Sequence, residues 1–305
     1  MRIKLSVVIP NWNGKRLLEK NLPAVLKACQ EWAETGWEII VVDDASTDES
    51  IAFLKENYSQ VRTVVHKKNQ RFAAACNTGV KSAKGKMVVL LNNDVSPEPD
   101  FLKPLISHFK TPKVFAVGCR QKELKQGRIF YSGRGIMRFQ RGLMVHWRAE
   151  DQNQPTTDWA FAGAAAYQRK KWLAIGGMDT LFRPAYEEDR DLSYRALKHG
   201  WKILFEPKSA VTHHHETTNI KVFGRKRIEI ISFKNQFLFV WKNITDWRYL
   251  SGHFFWLPYH LMLTNFRARG LLMVGFWLAL RQLPEVLQSR KQTKKLFVKK
   301  DKELV

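Results

Sequence analysis

Short apolar runs alternate with helix-spaced apolar residues over the first 120 positions. Residues 5–10 (LSVVIP) form one such run, ended early by Pro10 and Asn11. It reads as a buried strand and is too short for the apolar core of a signal peptide. Leu17, Leu18, Leu22, Val25, Leu26, Cys29 and Trp32 then recur three and four apart, which predicts an amphipathic helix. A second strand is predicted over 38–43 (EIIVVD). Ser46, Thr47, Asp48 and Glu49 follow it, in the pattern of a capping box that opens a helix. Residues 61–66 predict a third strand, the Ala-rich stretch 72–83 a third helix, and 86–92 (KMVVLLN) a fourth strand. Continuous Val/Ile/Leu runs, each followed by a helix, indicate an α/β fold with a mostly parallel sheet flanked by helices on both faces.

The pattern then changes twice. Residues 121 to about 157 are rich in Gly, Arg and aromatics, with strand-like pieces at 128–131 and 143–147. Residues 161–167 read as a strand, 169–175 as a short helix, 189–199 as a helix ended by Gly200, and 202–205 as a strand. From about residue 220 strand signals stop and basic, aromatic-rich helical stretches take over. Residues 252–266 and 270–280 are apolar, but each is shorter than the ~20 residues that span a bilayer. Asn265, Arg267 and Arg269 interrupt them. The chain divides into 1–120, 121–218 and a C-terminal basic amphipathic helical region, 219–305.

Composition adds one strong constraint. Hydrophobic residues make up 45% and charged residues 26% of the 305, which is globular. The net charge is +23, so an anionic partner is implied: nucleic acid, an acidic membrane surface or a phosphorylated substrate. Cys29, Cys76 and Cys119 are odd in number and lack CxxC spacing. A disulfide framework or zinc site is not expected, and a reducing compartment is.

In an open parallel sheet, ligands bind beyond the carboxyl ends of the strands. Three polar clusters fall there: Pro10, Asn11, Trp12, Asn13 and Gly14 after the first strand, Asp43 and Asp44 at the end of the second, and Asn92, Asn93 and Asp94 at the end of the fourth. Each alone is also what a turn requires. Together they predict one site at one sheet edge.

The order VVIPNWNG, VVDDASTDES, NQRFAAACNTGV, LLNNDVSPEPDFL, FAGAAAYQRKKWLAIGGMD, YEEDRDLSYRALKHGWKILFEPKSAVTHHH resembles the family 2 glycosyltransferases, over roughly residues 3 to 216. The resemblance implies the GT-A fold, a single α/β domain built around a nucleotide-binding sheet. NWNG with NND is also similar to the subgroup that adds rhamnose and related sugars to surface polysaccharides. By resemblance Asp44 contacts the base and ribose of the nucleotide, with Asp43 beside it. Pro10, Asn11, Asn13 and Asn93 belong to the same pocket. Asn69 and Asn77 fall in the family's N-x-G-F-…-N segment, where Arg71 replaces the usual Gly. Arg71 either reaches a donor phosphate or is a solvated surface arginine. Asp94 matches the last carboxylate of the metal-binding D-x-D motif, whose other positions are Asn92 and Asn93 here. Mn2+ or Mg2+ takes oxygen ligands and retains water and substrate phosphate, so one carboxylate plus a diphosphate suffices. His213 matches a histidine that joins the metal in some members; His214 and His215 beside it read as a polar strand end. Glu188 and Asp189 match the family's acidic pair, with Asp189 as the base that takes the acceptor hydroxyl proton in an inverting transfer. Without the resemblance, EEDRD reads as a helix start enriched in acids.

Aromatics beside Lys/Arg after residue 250 suit a helix lying in a membrane interface. The alternative is a helical pair packed on the catalytic domain or on a second subunit, which leaves a homodimer open, but the flanking positive charge favours the membrane. Together these features predict a metal-dependent inverting glycosyltransferase held peripherally on the cytoplasmic face of the cell membrane by an anionic lipid surface. Its donor would be a UDP- or dTDP-sugar and its acceptor a lipid-linked saccharide of cell-surface polysaccharide biosynthesis. The donor motifs all precede residue 217, so the nucleotide pocket is expected not to need residues 250–305. A sugar nucleotidyltransferase would want a Gly-rich basic loop after the first strand, which Asn11 to Gly14 are not. A nucleic-acid-binding signature is absent, so nucleic acid is not the expected partner.

Overall fold

The structure, a computed structural model, describes residues 3–32, 36–125, 127–213 and 222–304. Its first half follows the expected alternation: β1 (Leu5–Asn11), α1 (Lys15–Glu31), β2 (Trp37–Asp43), α2 (Ser50–Asn57), β3 (Val61–Val65), α3 (Phe72–Ser82) and β4 (Met87–Leu91). These strands pair in parallel in the order β3-β2-β1-β4. Successive strand side chains point to opposite faces. Val7, Ile9, Ile39 and Val41 therefore pack on α1 and α2, while Val8, Ile40, Val42, Val88 and Leu90 pack on α3. Two-sided burial is why these runs are apolar throughout rather than alternating.

The capping box does not form. α2 begins at Ser50, whose N–H and hydroxyl both go to the Asp48 carboxylate (3.1 and 2.5 Å). The Ser46 hydroxyl instead donates to the fully buried Asp43 (2.6 Å), which also takes the Ser46 N–H. A buried carboxylate demands donors more strongly than an exposed helix end does.

The sheet continues with β5 (Val95–Pro97), β6 (Val114–Lys125), β7 (Arg128–Ser132), β10 (Ala164–Gln168) and β11 (Lys202–His213), in the order β4-β10-β6-β11-β5, with β7 on β6. β10 runs antiparallel to both neighbours, and β11 is parallel to β6. The strand predicted over 161–167 begins only at Ala164; Phe161 to Gly163 form a turn whose Gly163 carbonyl accepts from Asn92 (2.8 Å). α4 (Leu102–Ser107) and α5 (Arg169–Ala174) cover the sheet. β8 (Gly135–Gln140) and β9 (Leu143–Arg148) make a separate hairpin, and α6 (Glu188–Lys198) precedes β11. Cys29, Cys76 and Cys119 are free and buried. Burial pushes the Cys29 thiol up to about 12 and the other two well up as well.

The C-terminal part consists of α7 (Arg225–Asn243), α8 (Trp247–Tyr259) running on through His260–Thr264, α9 (Leu271–Arg281) and α10 (Leu283–Lys294). It is not an appendage. Phe237, Leu238, Val240, Ile244, Leu272, Ala279 and Val286 share one core with Met137, Leu143, Phe182 and Tyr194 of the preceding segments. Buried charges lock the same interface. Lys242 donates to Asp191 (2.6 Å) and Asp179 (2.7 Å), and Arg195 donates to the other Asp191 oxygen. Near the chain end, fully buried Asp301 accepts from Lys198 (2.7 Å) and Tyr194 (2.6 Å) of α6 and from the N–H groups of Thr245 and Asp246. The other side of this layer is open. Trp247, Phe254, Phe255, Met262, Phe266 and Trp277 are exposed, Phe266 at 81%. Among the described residues, no helix is long and apolar enough to cross a membrane.

Candidate active site

The carboxyl ends of β1, β2 and β4 open into one cavity of about 1360 Å3. Pro10, Asn11, Asn13, Asp44, Asn69, Arg71, Asn92, Asn93, Asp94, Glu188, Asp189 and His213 all line it. The three strand-end clusters and the acidic pair, more than 90 residues apart in sequence, thus converge. At its floor Asn93 donates to Asn11 (2.8 Å), and Asn11 donates to Asp43 (3.0 Å). Gly14 lies against this chain so closely that a Cβ would collide with the Asn93 amide and the Asn11 side-chain oxygen. A side chain there would push the Asn93 amide off Asn11 and break this chain of hydrogen bonds.

Two predicted nucleotide residues lie outside the cavity lining. Asp43 is fully buried and spends its carboxylate on Asn11 and Ser46. Asn77 bridges to the backbone of Met178, donating to its carbonyl (2.7 Å) and accepting its N–H (2.9 Å). Asp43 sets the floor, and Asn77 ties α3 to the segment before α6. Asp44 does reach the cavity, with its oxygens already engaged. Oδ1 meets His66 Nδ1 (2.7 Å) and the Gln70 N–H, and Oδ2 takes the Arg71 N–H (2.7 Å). Asp44 therefore shapes the 69–72 turn, in which Arg71 adopts φ 73°. Glycine is usual in that region, and the carboxylate clamp holds an arginine there instead. Of the two readings of Arg71, the cavity is favoured: its guanidinium lies 5.9 Å from the Trp12 ring and 5.2 Å from that of Phe223.

Asp94 and His213 are neighbours, Oδ2 to Nε2 3.3 Å. The other Asp94 oxygen is buried without a hydrogen-bond partner among the described residues, as is Oδ1 of Asn92. An orphaned buried carboxylate oxygen facing a cavity is costly unless something binds it. The donor set fits a divalent cation held by Asp94 and His213, with the rest of its shell from ligand oxygens and water. Among the described residues no three His, Cys, Asp or Glu side chains gather into a complete protein cage. His214 and His215 lie outside the described residues.

Glu188 and Asp189 open α6 and line the same cavity. Asp189 accepts the N–H groups of Arg190 (2.8 Å) and Ala162. Burial and the neighbouring Asp189 charge push the Glu188 carboxyl up to about 8. Burial also raises Asp189, with Arg190 opposing it. Arg190 is held bidentately by Glu187 (2.8 and 2.6 Å). Carboxylates of raised pKa in a cavity are proton acceptors poised nearer neutrality than free ones.

Several lining residues escaped the sequence reading: Trp159, Phe161, Tyr186, Arg190 and Phe223. Trp159 and Phe161 sit in irregular chain with no period to mark them. Phe223 lies past the last motif, in the segment that leads into α7.

The description Glycosyl transferase family 2 matches residues 6–176, more than half of the chain. The chain belongs to this family. It is 27% identical over 225 residues to the pre-mycofactocin glycosyltransferase of Mycobacterium tuberculosis, covering 70% of this chain and 43% of the relative's length. A dolichyl N-acetyl-alpha-D-glucosaminyl phosphate 3-beta-D-2,3-diacetamido-2,3-dideoxy-beta-D-glucuronosyltransferase of Methanococcus voltae is 22% identical over 242 residues, 73% of this chain and 70% of the relative. Among solved structures, a mannosyltransferase from Pyrobaculum calidifontis in complex with GDP-Man and Mn2+ superposes with a TM-score of 0.57 at 17% identity, covering 97% of this chain and 86% of that one. The family 2 chain thus has the GT-A architecture that its motifs implied.

Proposed function

We propose that the protein is an inverting, metal-dependent glycosyltransferase that moves a sugar from a UDP- or dTDP-sugar to a lipid-linked saccharide. The observation that carries this reading is the single cavity lined both by Asp94 and His213 and by Glu188 and Asp189. Asn69, Arg71 and the Asp44-braced turn hold the nucleotide, Arg71 supplying positive charge for its diphosphate. When bound, the metal stabilises the departing nucleoside diphosphate as a Lewis acid. Asp189 accepts the acceptor hydroxyl proton from the opposite side. The Arg190 and Ala162 N–H groups aim its carboxylate, and burial raises its basicity. The Methanococcus relative, by its name, acts on a dolichyl-linked sugar, which supports a lipid-linked acceptor. A thermal-shift panel of nucleotide sugars with Mn2+ tests the donor. A ligand at ~100 Kd stabilises a fold by ~2.7 kcal/mol, so the right one should stand out. In Asp94→Ala that shift should shrink to the level seen in EDTA. An undiminished shift would remove Asp94 from the metal site.

The same reading places the protein at the cytoplasmic membrane surface. Trp247, Phe254, Phe255, Met262, Phe266 and Trp277 are exposed, with exposed Arg248, Arg267, Arg269 and Arg281 beside them in sequence. An amphipathic layer of this kind inserts its rings at the headgroup boundary. Each arginine near an anionic leaflet adds ~1 kcal/mol of attraction. The protein should co-sediment with phosphatidylglycerol-containing vesicles at low salt and less at high salt. The double variant Phe255→Ser, Phe266→Ser should stay in the supernatant. Equal sedimentation of variant and parent would instead make this face a protein contact.

A further inference from the structure

We propose that Trp159, Tyr186 and Arg190 form the subsite for the acceptor sugar, a pyranose that lays an apolar C–H face on an aromatic ring. This rests on the transferase reading of the cavity. Four observations point to it. A volume of about 1360 Å3 exceeds the ~300–1000 Å3 of a site for one small ligand. The cavity therefore has room for a second ligand beside the nucleotide. Its lining includes, besides Asp44 and Arg71, the side chains of Trp159, Pro184, Tyr186 and Arg190.

Second, Trp159 is held rigidly. Thr157 donates to its carbonyl (2.9 Å), the Asp158 carboxylate takes the Met137 N–H (2.8 Å), and the Ala160 N–H goes to Ser193 (3.2 Å). The indole rests on Gly135 of β8, where any Cβ would run into the ring, and His146 meets it edge-on at 5.8 Å. A ring fixed this way loses little side-chain entropy when a ligand stacks on it. Its negative π face suits the weakly positive C–H bonds of a sugar ring.

Third, Arg190 lies 5.9 Å from the Trp159 ring and uses Nε and Nη2 on Glu187. Its Nη1 makes no hydrogen bond among the described residues, so its two N–H groups can reach hydroxyl oxygens. Fourth, the platform adjoins the base. Asp189 accepts from the Arg190 N–H on one side and from Ala162, three residues after Trp159, on the other. A sugar on Trp159 therefore lies beside Asp189, where its hydroxyl must lose a proton.

The test uses the full chain with Mn2+ and the nucleoside diphosphate that gives the largest thermal shift. Methyl glucopyranoside, galactopyranoside and mannopyranoside are offered as probes in saturation-transfer NMR. At least one should receive saturation. Trp159→Ala should weaken its binding by roughly five-fold or more, the weight of one ring contact, with nucleotide affinity held within two-fold. Tyr186→Ala, at a position 41% exposed, should weaken glycoside binding without disturbing the packing around Trp159. A nucleotide shift with no glycoside signal, or a signal unchanged in both variants, overturns the subsite alone. No shift with any nucleoside diphosphate overturns the transferase reading, and the subsite falls with it.

Discussion

Asp189→Asn should abolish transfer while leaving donor affinity nearly unchanged. Asparagine has the same shape, and its carbonyl can still accept the Arg190 and Ala162 N–H groups, so α6 should keep its place. What is lost is the ability to take a proton. General-base catalysis contributes ~10²- to 10⁴-fold, so the rate should fall by at least about 100-fold. The pH profile supplies a second readout. Only the ionised carboxylate is a base, and both members of the pair titrate above the ordinary carboxylate range. Parental activity should therefore climb with pH above the ordinary carboxylate range, where the raised Asp189 carboxyl ionises. The stability sign is opposite. A carboxyl whose folded pKa is raised stabilises the fold fully below its unfolded pKa, and this contribution is lost as pH rises through the folded value. The two curves should cross in the same window. A variant that retains a tenth or more of the parental rate would exclude Asp189 as the base.

Asp301→Ala should cost more stability than any surface substitution, although it lies four residues from Val305. Among the described residues it would leave the fully buried Lys198 ammonium with only the Thr245 hydroxyl as a hydrogen-bonding partner. Removing one partner of a buried ion pair costs ~3–5 kcal/mol, which corresponds to a melting temperature lower by on the order of 10 °C. Lys299→Ala, at an exposed position nearby, should shift it by no more than about 1–2 °C. The pH sign here is the usual acidic one. The Lys198 and Tyr194 hydrogen bonds hold the Asp301 carboxyl below its ordinary value despite burial. Its stabilisation is present above the unfolded carboxylate pKa and is lost as pH falls through the folded one. Calorimetry at neutral pH decides it: equal melting of Asp301→Ala and Lys299→Ala would mean that the chain end is not part of the α6 support.

The readable part of this protein was the part governed by local chemistry. Apolar runs ending in Asn, Asp and Gly marked the carboxyl ends of β1, β2 and β4, and so most of the donor wall. Local pattern could not separate Asp43 from Asp44. They are adjacent acids at a strand end, and only the register of β1 on β2, with Asn11 opposite Asp43, turns one inward and leaves the other facing the cavity. Asn77 likewise reads as a pocket residue until α3 is docked against Met178, 101 positions away. Trp159 carries no periodic signal because irregular backbone has no period, and Phe223 lies past the last motif. The tail reads as a surface attachment because its exposed rings are plain in the sequence. The buried charges that fuse it to α6, Lys242 with Asp191 and Asp301 with Lys198, depend on partners about 50 and 100 residues distant.

The three sealed cysteines make the protein its own reporter of breathing. They sit in α1, α3 and β6, on both faces of the sheet, and each thiol is masked by burial and by a raised pKa. An alkylating reagent can reach them only through an opening, because the thiolate is the reacting form. The rate at which each becomes labelled, read by mass, maps how readily its segment unfastens. A bound nucleotide should slow Cys76 most, since its helix begins at the Asp44-braced turn.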